Sequence, residues 1–508
     1  MADVLGVGEK PSLEQIFRES LAQDPGNKAM EFLGQSYAWG WVQGVATAIE
    51  RQLAQAGLHP DDSVGVIASQ TPALYAAFIA LVAGGRSMSM INSYQSPEGI
   101  GRDLATLGFS AVIAADSVWS PAVREGASTA GTLALALADD GSLAVVSGIG
   151  RPAAGGRKLA EPGIELLTSG TTGPPKRHLL AYRVLSRTVH NVHFALLEPG
   201  NGMHLPHQLN YPFAQYIGVM NLLSAVERKR WLWLEPKFSV ERWLDLVRQT
   251  GLATYQLPPP GVKMVMDAEV PPEALAGVRY ITCGAGAVDA HQRRIFEERY
   301  GLKLLMSYGA TEYAGTVAAM SQADMERYGD AKFDSVGRAV YGVRIRIVDP
   351  ESGEPLPPGE DHVGLVEVVQ PAISQDWIRS TDLGCLDEEG FLYLMGRADG
   401  AINRGGFKVS PAAIEGALLQ HPGVAAACVV GVPDPRLGSV PAAAVERKAG
   451  AAPLDADELK SFVRKLLPAT HIPVHVRIVD QLPRTATLKL ELGAIREMFT
   501  SDAGALQA

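Results

Sequence analysis

Apolar positions along this chain fall into two textures. Through roughly the first three hundred residues, short apolar runs alternate with longer segments of helical period. SVGVIAS, Ser63 to Ser69, is one such run, and ALYAAFIALVA, Ala73 to Ala83, follows it at once. Thr71 before that segment, Pro72 in its first turn and Gly84-Gly85 after it predict a buried helix behind a buried strand. Residues 12 to 57 read as helix-rich, and SAVIAA, Ser110 to Ala115, as another strand. The alternation resumes at RWLWLEP (Arg230), ATYQLPP (Ala253), VRYITCGAG (Val278) and LKLLMSYGATE (Leu302). Strands alternating with helices predict doubly wound, mostly parallel sheets.

From about residue 333 the texture changes to VRIRIVD and VGLVEVV, period-two strands between Gly and Pro turns, the mark of a small antiparallel sheet or barrel. Past GRADGAINRGG, Gly396 to Gly406, a compact β/α unit begins. Ser410 and Pro411 open a helix toward Gln420, His421-Pro422-Gly423 close it, and VAAACVVGV is a buried strand. RPAAGGRKLAEPG, Arg151 to Gly163, reads as a surface connection. The expected fold is therefore α/β. A large N-terminal domain, 1–397, holds doubly wound mostly parallel sheets and a small β-barrel-like subdomain at about 333–397. A small mobile α+β C-terminal domain, 398–508, follows it.

Composition narrows the function classes. A formal charge of −10 over 508 residues argues against nucleic acid as a partner, which needs a basic face. Cys283, Cys385 and Cys428 lie far apart, which excludes a disulfide framework and a cysteine zinc site and suits a reducing compartment. The amino terminus lacks the basic and apolar stretches of a signal peptide, and the longest apolar segment is too short to span a bilayer. These features lead to an expectation of a cytoplasmic protein without a membrane span, monomeric or homodimeric.

Four stretches could carry chemistry. Thr168-Ser169-Gly170-Thr171-Thr172-Gly173-Pro174-Pro175-Lys176 follows an apolar strand. Its glycines free backbone N–H groups to converge, its hydroxyls add donors, and Lys176 adds a cation, which together suit a polyphosphate. The spacing is not that of a P-loop, since Arg177 stands where Ser or Thr would follow the lysine. A hydroxyl-rich surface turn is the bland alternative. SYGATE, Ser307 to Glu312, offers a ring, a hydroxyl and a carboxylate at a strand's carboxyl end, where α/β sheets bind ligands. RSTDLGCLDEEGFLYLMGRADG, Arg379 to Gly400, contains Asp382, able to hold ribose hydroxyls, and Arg397. LPRTATLKL, Leu482 to Leu490, places Lys489 between apolar neighbours; a solvated surface lysine is the bland reading there. His190/His193 and His204/His207 form two HxxH pairs, but no third ligand is evident nearby, so core or surface histidines account for them better than a metal.

Taken in order, TSGTTGPPK, YGATE, STDLG…DEEGFLYLMGR, GGFKVSPAAIE and PRTATLK resemble the adenylate-forming superfamily of acyl- and aryl-CoA synthetases, from about residue 12 to 499. The resemblance implies an acid–thiol ligase using ATP, Mg²⁺ and CoA. A carboxylate attacks the α-phosphorus of ATP, pyrophosphate leaves, and the acyl-adenylate passes to CoA as a thioester with release of AMP. The loop from Thr168 to Lys176 would hold the β- and γ-phosphates, Glu312 the Mg²⁺, and Thr311 the α-phosphate. Tyr308, with Gly309 and Ala310 after it, would stack on adenine beside Gly284, Ala285 and Gly286, with Asp382 and Arg397 on the ribose. Lys489 would bridge the α-phosphate and the attacking carboxylate, Asp399 would be the hinge of the small domain, and Gly405, Gly406 and Lys408 would line the CoA channel.

The chain departs from the family pattern at several positions. Arg177, Thr381 and Leu488 each replace a common glycine, Asn403 a common lysine and Gln215 a common histidine. Arg177 could add a cation to the phosphate loop or point to solvent. Asn403 leaves open a second reading, in which the acyl-adenylate passes to a separate thiolation enzyme, an amine or a carrier protein. The acyl pocket is expected from about 204–220, 283–288 and 308–317, including Tyr211, Gln215, Gly218, Ala314 and Gly315. Residues 199 to 226 contain no acidic residue to pair with an amino acid's ammonium. The small residues Ala214, Ala314 and Gly315 suggest room for a bulky or long apolar acid.

Overall fold

A computed structural model describes residues 11–93, 95–148, 156–168, 176–196, 205–284, 286, 288, 290–400, 402–404, 407–434, 437–467, 469–485 and 490–500. The expected alternation builds a seven-stranded sheet. Its centre is parallel: Val64–Ala68 lies between Met88–Asn92 and Ala111–Ala115, with Leu133–Leu137 beyond the latter. Both edges turn antiparallel, at Leu143–Ser147 and at the pair Gly163–Thr168 and Lys176–Ala181. The helix Pro72–Ala83 has every side chain buried and ends at Gly84-Gly85, where Gly85 takes a positive φ of 69°. Thr71 occupies its N-cap, but the hydroxyl makes no capping hydrogen bond, so burial of the apolar cylinder holds this helix.

A second sheet carries the parallel strands Thr254–Gln256, Tyr280–Cys283 and Lys303–Ala310, extended antiparallel by Gly315–Ala319 and Arg338–Ala339. A third contradicts part of the sequence expectation. The stretch read as helix-rich contains helices Leu13–Leu21 and Trp39–Gln55, but between them run strands Lys28–Phe32 and Gln35–Ala38. KAMEF is composed of good helix formers. It becomes a strand because it pairs in parallel with Trp231–Leu234, some two hundred residues away, and buries its middle three residues. Propensity is a weak prior that such tertiary pairing overrides.

The period-two region forms a four-stranded antiparallel meander, Arg344–Val348, Gly364–Val369, Ile378–Leu386 and Leu392–Arg397. After the short turn Ala398–Gly400, the chain enters a separate five-stranded sheet built on the long hairpin Val424–Asp434 and Gly438–Arg447. The helix Pro411–Leu419 packs on that hairpin, capped by Ser410 Oγ accepting from Ala413 N. Among the described residues, no helix is long and apolar enough to cross a membrane.

Candidate functional site

The phosphate-loop motif sits where two edge strands part company. Gly163–Thr168 runs parallel to Met88–Asn92, so its carboxyl end lies at the ligand-binding edge of the sheet. It pairs antiparallel with Lys176–Ala181, and Thr168 faces Lys176 across the ladder. Ser169, Gly170, Thr171, Thr172 and Gly173 lie outside the described residues. Successive residues of the returning strand point to opposite faces, and this separates Arg177 from His178.

Among the described residues, Arg177 turns toward the carboxylates of Glu165 and Asp103. Its guanidinium lies against the sheet, with Nη1 3.6 Å from Glu165 Oε2 and 3.4 Å from the Met90 carbonyl, and Nη2 3.9 Å from Asp103. Glu165 is itself buried and also accepts from Arg157 at 2.6 Å and from Ser89 Oγ at 2.8 Å. Burial lowers the Arg177 pKa, and the carboxylates of Glu165 and Asp103 oppose that shift. The residue that replaces the common glycine is thus a partly buried brace at the foot of the loop.

On the other face, His178 Nε2 comes within 3.9 Å of Glu312 Oε1. Glu312 belongs to the single turn Thr311–Tyr313, which ends the strand Lys303–Ala310. Its side chain is 48 % exposed. An exposed hard-oxygen ligand beside the foot of a phosphate loop fits Mg²⁺, which commonly takes one or two carboxylates and completes its shell with phosphate oxygens and water. Among the described residues, no group of three or more His, Cys, Asp or Glu could hold a metal by itself. The backbone here is tightly drawn: a Cβ on Gly309 would meet the Gly315 carbonyl oxygen at 2.3 Å, so only glycine lets the two strands approach.

Tyr308 is nearly buried, and its hydroxyl donates to Asp382 Oδ2 at 2.5 Å. Burial, then the neighbouring Tyr313 and Asp382, push its pKa far above the ordinary phenol value, so it stays a donor. Asp382 faces Arg397 across the meander's last strand pair, with the charges 3.9 Å apart. Arg397 Nη2 donates to Thr381 Oγ1, so the threonine in place of a common glycine holds the arginine by a side-chain hydrogen bond. Gly284 ends the strand Tyr280–Cys283, and a Cβ there would strike Ser307 Oγ at 2.4 Å. Gly286 is exposed, and Ala285 lies outside the described residues.

The structure therefore brings Tyr308, Thr311, Glu312, Asp382 and Arg397 to one edge. Asp399 lies in the turn Ala398–Gly400 after the meander, and the backbone of Lys408 pairs with that of Asn403. Gly405, Gly406 and Lys489 lie outside the described residues.

Beside this edge opens a cavity of about 130 Å³. It is bounded by the strand Pro206–Leu209, the helix Tyr216–Glu227 and the strands that end at Gln256 and Cys283. Tyr211 lines it and bonds the carbonyls of Leu257 and Gly284 at 3.2 and 3.3 Å. Gln215, Gly218, Ala314 and Gly315 do not line it. Gln215 N-caps the helix, and Gly218 packs on the Pro212 carbonyl. The Ala314 carbonyl accepts from the Tyr216 hydroxyl, and a Cβ on Gly315 would crowd that same hydroxyl.

Sequence reasoning missed His178, Asn221 and Gln256 as residues of this region; Gln208 falls inside the expected 204–220 stretch and Ser307 opens SYGATE, though neither stands out there by itself. The available signal was polarity out of place: Asn221 interrupts the apolar run IGVMNLLSAV, and Gln208 precedes a buried Leu209 in a strand. His207, from the second HxxH pair, sits on that strand rather than on a helix face.

A family model described as AMP-binding enzyme matches residues 17–375, and one described as AMP-binding enzyme C-terminal domain matches 413–489. A feruloyl-CoA synthase from Amycolatopsis is 32% identical over 238 residues, which is 44% of this chain and 47% of that protein. In that match the chain spans about half the relative's length. A 4-coumarate–CoA ligase from Oryza sativa subsp. japonica is 25% identical over 90% of this chain and 88% of its own. The solved structure of ATP-bound MatB from Rhodopseudomonas palustris superposes with a TM-score of 0.82 at 22% identity, covering 96% of this chain and 99% of that one, and so shares the fold.

Proposed function

The chain belongs to the AMP-binding enzyme family, and from that premise we propose that it activates a carboxylic acid with ATP and transfers the acyl group to CoA. The carrying observation is the approach of His178 to Glu312, which sets the foot of the phosphate loop beside the turn that bears the metal-ligand carboxylate. The strand ends that lead into and out of the loop, Glu312 as the metal ligand, and Tyr308, Asp382 and Arg397 for the nucleoside then share one edge.

The first half-reaction forms a bond between the acid's carboxylate oxygen and the α-phosphorus and breaks the bond to the β-phosphate's bridging oxygen. The loop Thr168–Lys176 holds the departing pyrophosphate. Glu312 would hold Mg²⁺, which when bound would supply positive charge to the phosphate oxygens. Thr311 donates to the α-phosphate, Tyr308 and the backbone from Gly284 to Gly286 take the base, and Asp382 with Arg397 takes the ribose. Lys489 enters from the C-terminal domain, 398–508, between two anions that would otherwise repel. In the second half-reaction the thiol attacks the acyl carbon, AMP leaves, and the domain turns about Asp399 to present Gly405, Gly406 and Lys408. The acid's body is apolar, matched by Tyr211, Ile217, Met220, Leu246 and Leu252 around the cavity.

ATP–pyrophosphate exchange without thiol, and thioester formation from preformed adenylate, separate the two halves. Lys489→Ala should lower exchange by roughly a hundred- to thousand-fold, the typical loss for one preorganised donor to a developing charge. Unaltered exchange in that variant overturns the role of Lys489. Exchange without any thioester, across CoA and other thiols, would favour the reading in which the adenylate passes to a separate acceptor.

A further inference from the structure

Among the described residues, four non-glycine positions adopt a positive φ: Leu33, Lys229, Glu269 and Ala314. Leu33, Lys229 and Glu269 are exposed, whereas Ala314 is fully buried, with φ 46° and ψ 37°. A left-handed alanine is disfavoured because its Cβ crowds the following carbonyl oxygen, so the surroundings must hold this one in place. Ala314 closes the turn Thr311–Tyr313, its N–H donating to the Thr311 carbonyl at 3.0 Å. It stands two residues past Glu312 and sets the exit of the turn that carries Thr311 and Glu312.

The side chain that reaches Ala314 is Tyr216, the first residue of the helix Tyr216–Glu227 and 98 positions away. Its hydroxyl donates to the Ala314 carbonyl. Burial holds that phenol far above its ordinary pKa, so it stays a donor. Gly315 leaves the hydroxyl its space: a Cβ there would meet the Tyr216 oxygen at 2.6 Å, and Gly315 takes a φ of 146°. One residue before Ala314, Tyr313 is buried in the core, its ring edge-on to Tyr308 with centroids 6.2 Å apart. The turn is thus pinned at Tyr313 by packing and at Ala314 by the Tyr216 hydrogen bond.

Building on the acid-activating reading above, we propose that Tyr216 is a positioning residue, whose hydroxyl fixes the Thr311–Glu312 turn through the Ala314 carbonyl. It touches neither phosphate nor metal; it sets where their ligands stand. Without the hydroxyl, a buried carbonyl loses this donor, which is costly, and Ala314 escapes by leaving the left-handed region, drawing Glu312 with it. The population of turns competent for MgATP then falls, and the observed affinity falls in the same proportion. Tyr216 also lines the acyl cavity, so one side chain bounds the space of the acid and holds the turn assigned to the α-phosphate and Mg²⁺.

The test measures MgATP binding by isothermal titration calorimetry and pyrophosphate release with a panel of carboxylic acids, both on the full chain. Tyr216→Phe, which removes only the hydroxyl, should raise the Kd for MgATP by roughly five- to thirty-fold. The thermal midpoint without nucleotide should fall by no more than about 4 °C. Ala314→Gly makes the left-handed turn available without strain, so the loss caused by Tyr216→Phe should be smaller in an Ala314→Gly background. A general loss of packing would not produce that coupling. Tyr216→Met, a flexible apolar filler without a donor, serves if the Phe variant fails to fold. A parent chain that binds no MgATP overturns both the acid-activating reading and the role of Tyr216. A parent that binds MgATP but releases no pyrophosphate with any acid overturns that reading alone, and the binding comparison still decides on Tyr216. Unchanged affinity in Tyr216→Phe, a loss of equal size in the Ala314→Gly background, or a loss that only tracks the thermal midpoint leaves the reading standing and overturns the Tyr216 assignment.

Discussion

At the scale of single residues, Arg177 ties the strand that returns from the phosphate-loop motif to the sheet. Its charge and that of Arg157 converge on one buried carboxylate, Glu165, beneath the strand that leads into the loop. Removing a partner from such a cluster costs more than the cluster contributes, because the remaining charges stay buried. Arg177→Met should lower unfolding free energy by about 1–3 kcal/mol, since Glu165 keeps Arg157 and Ser89. Glu165→Ala, which removes the one carboxylate that both guanidinium groups share, should cost more, about 3–5 kcal/mol. Urea unfolding reads both, and an Arg177→Met variant as stable as the parent would remove Arg177 from this brace.

Among the elements, the turn after the strand Trp231–Leu234 carries a titratable group with a visible effect. Glu235 is buried, accepts from Trp233 Nε1 at 3.1 Å and from Ser239 N at 3.2 Å, and burial pushes its pKa up to about 7. A carboxyl group raised in the folded state favours folding while protonated, and that contribution fades as pH rises through the folded value. Stability should therefore decline between about pH 5 and pH 8, and the decline should shrink in Glu235→Gln. Thermal unfolding across that range is the measurement, and an undiminished slope in the variant would assign it to other groups. The same scale explains a misread element. Lys28–Phe32 has the composition of a helix, yet the parallel pairing with Trp231–Leu234 makes it a strand, a partnership no local window contains.

For the whole molecule, the consequential feature is the passage from the meander to the separate C-terminal sheet through Ala398–Gly400. If the two half-reactions need different placements of Lys489 and of Gly405 to Lys408, then stiffening this turn should split them. Asp399→Pro, which fixes φ and restricts Ala398 before it, should preserve ATP–pyrophosphate exchange and slow thioester formation from preformed adenylate. Equal loss of both steps would place the hinge elsewhere.

The ordered motifs made the family legible, because they recur in one order along nearly the whole chain; the structure brings Tyr308, Thr311, Glu312, Asp382 and Arg397 from two of them to one edge. The alternation of apolar runs with helical segments likewise exposed the parallel sheets, since each strand's neighbour follows within one crossover. Only the tertiary structure decided where the intervening side chains point. Residue identity alone left Arg177 between phosphate and solvent, and strand parity with Glu165 beneath it turned the guanidinium inward. Gln208, Asn221 and Gln256 are far apart in sequence and ordinary one by one. They line one cavity because a strand, a helix and a second strand converge there, and convergence is a property of packing.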